Sequence, residues 1–201
     1  MPRVLRELRC PETMMTTEPP LGRLRHDHAV ATQAVKLVAD LVADLTGAPP
    51  TAWPDIGERL RGERRLRTSV EGLVQILLPH FRLEEEALFP QVRAMMSEGA
   101  PAVDILSQFL DGEADDDLTA HFLMRSRLRE LTSVLDAGQQ AGGLAADQLA
   151  AIRTTTNLLA DILRRHADKE HRLIFPMIER MLDAAQMAEV ADRMRNTRQA
   201  T

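Results

Sequence analysis

The chain has one cysteine, no tyrosine and few aromatic residues of any kind. Cys10 alone excludes an internal disulfide, an iron–sulfur cluster and a thiolate-rich zinc site, because each of these needs several sulfur atoms. Without tyrosine, any catalytic centre also lacks a common hydrogen-bond donor and radical site. Aromatic residues make up only 3% of the chain, and Ala, Leu, Arg, Glu and Met are abundant. This composition favours helices over strands.

Other features that are absent bear on location and partners. No apolar run approaches the roughly 18 residues of a membrane span, and the basic N-terminus lacks the apolar stretch of a secretory signal. The net charge of −5 provides no basic surface for nucleic acid. We therefore expect a cytoplasmic protein that binds neither nucleic acid nor membrane. We expect residues 1–18 to be disordered or mis-annotated, with Met14 or Met15 as the true start, and residues 19–201 to form one domain.

Apolar residues recur at helical spacing in four long segments. They cover about residues 21–45, 54–97, 118–135 and 146–174, and a short helix is expected near 185–196. We expect a kink near Pro79, an end or sharp bend at Pro90, and a chain break at Gly138, Gly142 and Gly143. Four long helices with short connections predict an all-α, antiparallel up-down-up-down four-helix bundle.

The most informative pattern is an internal repeat. The sequence HFRLE begins at His80 and ends at Glu84, and HADKE begins at His166 and ends at Glu170. Each is followed by a Leu-Phe-Pro or Ile-Phe-Pro tail after the same interval. Residues four apart share one face of an α-helix, and in both copies that face is otherwise apolar. A single pair is equally well explained as a hydrogen-bonded core pair, whereas two copies with the same tail favour a shared site.

Two further histidines occupy matching positions on the other long segments. The positions 2, 7, 10, 13 and 14 residues after His121 are all apolar, and the same is true after His28. Both histidines are therefore predicted on the core face of their helices. His26 and His171 fall about 160° and 100° away from that face, and we expect both to be surface histidines. Glu85 and Glu86 are expected to be solvated, with either able to swing in as an auxiliary carboxylate.

The combined set predicts a metal site. Four histidines and two glutamates, with no thiolate, suit iron, manganese or zinc. Six ligands exceed the needs of one tetrahedral zinc ion, so we expect two ions bridged by the glutamates. The predicted ligands are His28, His80, Glu84, His121, His166 and Glu170. Ferritin-like proteins instead need Glu-x-x-His pairs on the core face, and this sequence has none there.

At these residues the sequence resembles the hemerythrin HHE cation-binding domain family, the hemerythrin-like di-iron proteins. The family pattern is His, His-x-x-x-Glu, His and His-x-x-x-Glu across four helices, and the resemblance covers about residues 21–182. It implies an antiparallel bundle around two non-haem iron ions joined by an oxo or hydroxo bridge, with manganese or zinc ranked behind iron. Glu84 and Glu170 are the implied bridging ligands.

One departure from the family affects the expected function. Oxygen-carrying hemerythrins have a further histidine one turn after the third-helix histidine, and this chain has Arg125 there. We therefore expect a centre that binds or processes a small oxidant, namely nitric oxide, peroxide or dioxygen. Oxygen, iron or redox sensing and iron binding without turnover remain open as alternatives. No catalytic residue beyond the ligands is assigned, and whether the protein is an enzyme stays open.

Overall fold

The computed structural model describes residues 19–47, 56–95 and 117–199, and their secondary structure is helical with no strand. This confirms the all-α prediction. The α-helices are α1 (Pro20–Gly47), α2 (Ile56–Arg82), α3 (Phe89–Met95), α4 (Asp117–Gln140), α5 (Ala146–Lys169), α6 (Phe175–Met181) and α7 (Ala184–Gln199). Two π-helical segments interrupt this series, Leu83–Leu88 before α3 and Glu170–Ile174 before α6. The expectations for residues 1–18 and for Cys10 lie outside the described residues.

The four long helices close into a ring. α1 packs against α2 and α5, and α4 packs against α5 and α2. The antiparallel direction of neighbouring helices stays a prediction. The ring places the inward faces of all four long helices around one interior.

Within the three described ranges, no helix combines the length and the hydropathy that a membrane span requires.

That interior contains two apolar clusters. The main core includes Val38, Leu73, Leu77, Phe81, Met124, Leu128 and Leu163. The second core includes Leu24, Leu83, Phe89, Ile174, Phe175, Val190 and Met194. Each predicted histidine of α1, α2 and α5 lies in sequence between a residue of one cluster and a residue of the other. The polar side chains are therefore enclosed between two layers of hydrocarbon.

The C-terminal helix α7 contributes to the second core and packs against the first π segment. A capping box fixes its start, because Asp183 Oδ1 accepts from the Gln186 N–H and Gln186 Oε1 accepts from the Asp183 N–H, both at 2.9 Å. The sequence predicted a short helix in this region, and the structure confirms it with wider bounds.

The prediction that the helix ends at Pro90 was wrong, whereas a kink near Pro79 and a bend at Pro90 stay predictions. Pro79 lies inside α2, and helical structure continues through Pro90 to Met95 instead of ending there. In both repeat copies a π segment precedes the Phe-Pro tail, and it closes with a bond from the Phe89 or Phe175 N–H to the carbonyl of the motif glutamate. Proline cannot donate an N–H, and its ring crowds the carbonyl four residues earlier. The wider turn accommodates the proline without ending the helix.

The predicted chain break at Gly138, Gly142 and Gly143 occurs at the last two glycines and not at Gly138. Helix α4 continues past it to Gln140, and the turn follows at Gly142, whose φ of +83° favours glycine. Gly138 lies against Leu144, and a larger side chain at position 138 would clash with the leucine Cδ2 atom. Its role is close packing, which local sequence cannot distinguish from a break.

Candidate metal centre

Five of the six predicted ligands converge in the interior. Each of the five offers one potential ligand atom within 4.8 Å of all the others, and every one of the side chains is buried. They are His28, His80, Glu84, His166 and Glu170. The group combines three imidazoles and two carboxylates, and it could hold a metal ion.

His121 joins this group through one of its glutamates. Its Nε2 atom lies 3.1 Å from Glu84 Oε2, and its ring centroid is 4.8 Å from that of His166. The side chain is fully buried. All six predicted residues are therefore neighbours, although His121 stands outside the tightest set of five.

The histidines all turn the same ring nitrogen toward the carboxylates. Nε2 of His80 lies 3.1 Å from Glu84 Oε1, Nε2 of His28 lies 3.3 Å from Glu170 Oε2, and Nε2 of His166 lies 3.6 Å from the same oxygen. Nε2 of His28 and Nε2 of His80 are also only 2.9 Å apart. Imidazole nitrogens that point at one small volume, together with carboxylate oxygens, form a typical metal-binding arrangement.

Glu84 shows most directly that the cluster fits a cation. Both of its oxygens are buried, and within the described residues neither makes a hydrogen bond of good geometry, although Nε2 of His80 and Nε2 of His121 each lie 3.1 Å from one of them. A buried carboxylate without hydrogen bonds is costly unless a positive charge compensates it. Imidazole and carboxylate donors without a thiolate suit iron, manganese or zinc, so the residues present fit such an ion.

The pKa shifts within the cluster also indicate that it favours positive charge beside Glu84. Burial opposes protonation of His80, but the charge of Glu84 and the nearby Asp27 carboxylate outweigh it and raise the pKa of His80 to about 9. Burial likewise opposes ionisation of Glu84, yet His80 and His121 hold its pKa well below the usual range. For His28, burial and the neighbouring His80 lower the pKa well below its usual value. His80 and His121 therefore keep Glu84 ionised, and Glu84 in turn favours a positive charge beside it.

Glu85 has a role that the sequence prediction of a solvated carboxylate missed. Its Oε1 accepts from His121 Nδ1 at 2.8 Å, and Arg125 donates to both of its oxygens at 2.7 and 2.9 Å. Burial opposes its ionisation, but the hydrogen bonds to His121 and Arg125 dominate and lower the pKa of Glu85 to about 2. The Phe81 ring stacks on the His121 ring with centroids 4.3 Å apart, and the Arg125 guanidinium lies over the Phe81 ring. These contacts lock the imidazole in place.

The sequence predicted His171 to be a surface histidine, and this prediction was wrong. It is half-buried, and its Nε2 lies 3.1 Å from Nδ1 of His28, within hydrogen-bond distance. The predicted 100° rotation away from Glu170 assumed an α-helix, whereas both residues belong to the second π segment. Leu173, in the same π segment, is 46% exposed. By contrast, His26 is exposed as predicted.

Asp27 is a further buried acid near the cluster, and the sequence prediction did not single it out. Its Oδ2 lies 3.8 Å from Nδ1 of His80, and its Oδ1 pairs with Arg23 Nε at 2.9 Å. Its position next to His28 in the sequence was the available signal. Carboxylates behind metal-binding histidines orient the rings and raise their basicity.

Comparison with known proteins adds no relative. No protein-family model matches the chain, and no curated protein matches it.

Proposed function

We propose that the chain is a hemerythrin-like protein that binds two iron ions in this cluster and processes nitric oxide or peroxide there. The observation that carries the proposal is Glu84, a fully buried carboxylate whose two oxygens approach two different histidines. Oε1 faces His80 and Oε2 faces His121, as expected of a carboxylate that bridges two ions.

The number of donor atoms supports two ions over one. Four Nε2 atoms, both oxygens of Glu84 and Oε2 of Glu170 make seven donor atoms that approach one another to between 3.1 and 3.6 Å. An octahedral ion has only six positions, so a single ion would leave buried donors unused. His28 lies beside His80 at 2.9 Å between Nε2 atoms, and His121 lies beside His166, so each of these two pairs would hold one ion.

The environment of the cluster suits a small oxidant. When bound, two ferrous ions supply the two electrons that convert two nitric oxide molecules and two protons into nitrous oxide and water, or they cycle to disproportionate peroxide. The apolar layers on both sides exclude bulk water and larger molecules. Arg125 is held by Glu85 and Phe81, so it supplies no further ligand.

The test is stopped-flow spectroscopy of the protein loaded with ferrous iron and mixed separately with nitric oxide, peroxide and dioxygen. We expect rapid oxidation by nitric oxide or peroxide, with nitrous oxide or dioxygen formed as product. Glu84→Gln should abolish the reaction, and the exposed neighbour Glu86→Gln should retain it. A dioxygen adduct that releases dioxygen on degassing, without turnover of the other two oxidants, would overturn the proposal.

A further inference from the structure

His28 and His121 stand outside the His-x-x-x-Glu motifs. The Nδ1 atom of each contacts a residue from the same position of the repeat. In the repeat, the residue after the motif glutamate is Glu85 in one copy and His171 in the other. Glu85 contacts Nδ1 of His121 at 2.8 Å, and His171 contacts Nδ1 of His28 at 3.1 Å. The same repeat position therefore supports the corresponding histidine on α4 and on α1.

We infer that Glu85 and His171 are positioning residues that turn Nε2 of His121 and His28 toward the metal centre, and that their unequal charge makes His121 the stronger donor. This inference rests on the proposed metal-binding function and adds which residues control the ligands. With Nε2 directed at the centre, the ring proton sits on Nδ1, so Nδ1 donates to the residue behind it.

The two supports differ in strength. Glu85 offers an ionised carboxylate that Arg125 holds by two hydrogen bonds, whereas His171 offers a neutral ring nitrogen. A hydrogen bond to a charged acceptor is shorter and roughly twice as strong as a neutral one. The carboxylate therefore draws the Nδ1 proton away from His121 and enriches the ring in electron density, and His171 does this less for His28.

The experiment uses zinc, which binds such ligands without redox chemistry. In the zinc-loaded protein, NMR should show exchangeable Nδ1–H protons of His121 and His28, with that of His121 at lower field. Glu85→Gln should move the His121 signal to higher field and weaken zinc affinity about 10- to 100-fold, the usual effect of losing such a partner. His171→Gln should weaken affinity less, and His171→Glu should move the His28 signal to lower field.

Matched controls lie next to each positioning residue. Glu86 and Arg172 are exposed neighbours in the same π segments, so Glu86→Gln and Arg172→Gln should leave both signals and the affinity unchanged. If Glu85→Gln leaves the His121 signal and the zinc affinity unchanged, as Glu86→Gln should, the inference is wrong while metal binding stands. The same holds if the Nδ1–H proton of His121 lies at no lower field than that of His28. Failure of every variant and of the wild type to bind zinc overturns both this inference and the proposed metal site.

Discussion

His26 and His28 lie two residues apart on α1, and replacing each in turn by alanine tests the proposal that the buried His28 binds metal and the exposed His26 does not. His26 is exposed, whereas His28 is 2% exposed and its Nε2 faces His80 and Glu170. His28→Ala should remove most of the metal-dependent stability. His26→Ala should leave it near that of the wild type.

The size of the effect follows from linkage between binding and folding. Free metal at 100 times its Kd stabilises the native state by about 2.7 kcal/mol. Even a residue that only supports a ligand changes metal affinity about 10- to 100-fold, so loss of the ligand His28 should weaken binding by about 100-fold or more. At the same metal concentration the stabilisation then falls to about 0.4 kcal/mol. His26→Ala should change the free energy of unfolding by no more than about 0.5 kcal/mol.

The assay is denaturant unfolding of each variant with and without metal. The deciding quantity is the metal-induced gain in the free energy of unfolding, because His28→Ala also costs roughly 2 kcal/mol or more in the metal-free protein through lost packing and hydrogen bonds. Equal metal-induced gains for the two variants would refute the assignment of His28 as a ligand.

Two further predictions concern pH and the turn after α4. His80 carries a proton below its pKa of about 9 in the metal-free protein, so metal must displace it and apparent affinity should rise as the pH increases from 7 to 9. An affinity that is flat over this range, measured by competition with a chelator, would contradict the electrostatics described. Gly142→Ala should lower the free energy of unfolding by about 1 kcal/mol, because the φ of Gly142 is +83°. Gly47 has no positive φ and open space around it, so Gly47→Ala should leave the free energy of unfolding unchanged. Thermal unfolding of the two variants measures the difference.

The convergence of the histidine and glutamate side chains was predictable because it depends on helical periodicity. The motif residues lie four apart, and the apolar positions after His28 and His121 match one another. Periodicity fixes which face of a helix each side chain occupies, and burying the four apolar faces together brings those residues into one interior. The structure buries all six.

The contacts of Glu85 with His121 and of His171 with His28 were not predictable by the same rule. His171 and Glu85 lie in π segments, where the rotation per residue differs from that of an α-helix. Their partners also belong to other helices, so each contact depends on packing across the bundle. A signal was nevertheless present, because the position after the motif glutamate is polar in both copies.

Local breaking signals were overridden by the surrounding structure. Pro90 follows a wider turn and leaves the helix continuous, and Gly138 allows Leu144 to approach α4 closely. The exposed Leu173 shows a limit of the repeat itself. Its counterpart Ala87 is fully buried in the first π segment, against which α7 packs. Packing of α7 against the first π segment thus buries a position whose counterpart in the second π segment is exposed.

The central claim is that the buried cluster holds two metal ions bridged by Glu84 and Glu170. The most direct test is diffraction from crystals of the iron-loaded protein at wavelengths on either side of the iron absorption edge. We expect two anomalous peaks within the cluster, one beside His28 and His80 and the other beside His121 and His166, with both glutamates in contact with both peaks. A single peak, or a cluster without any, would contradict the account.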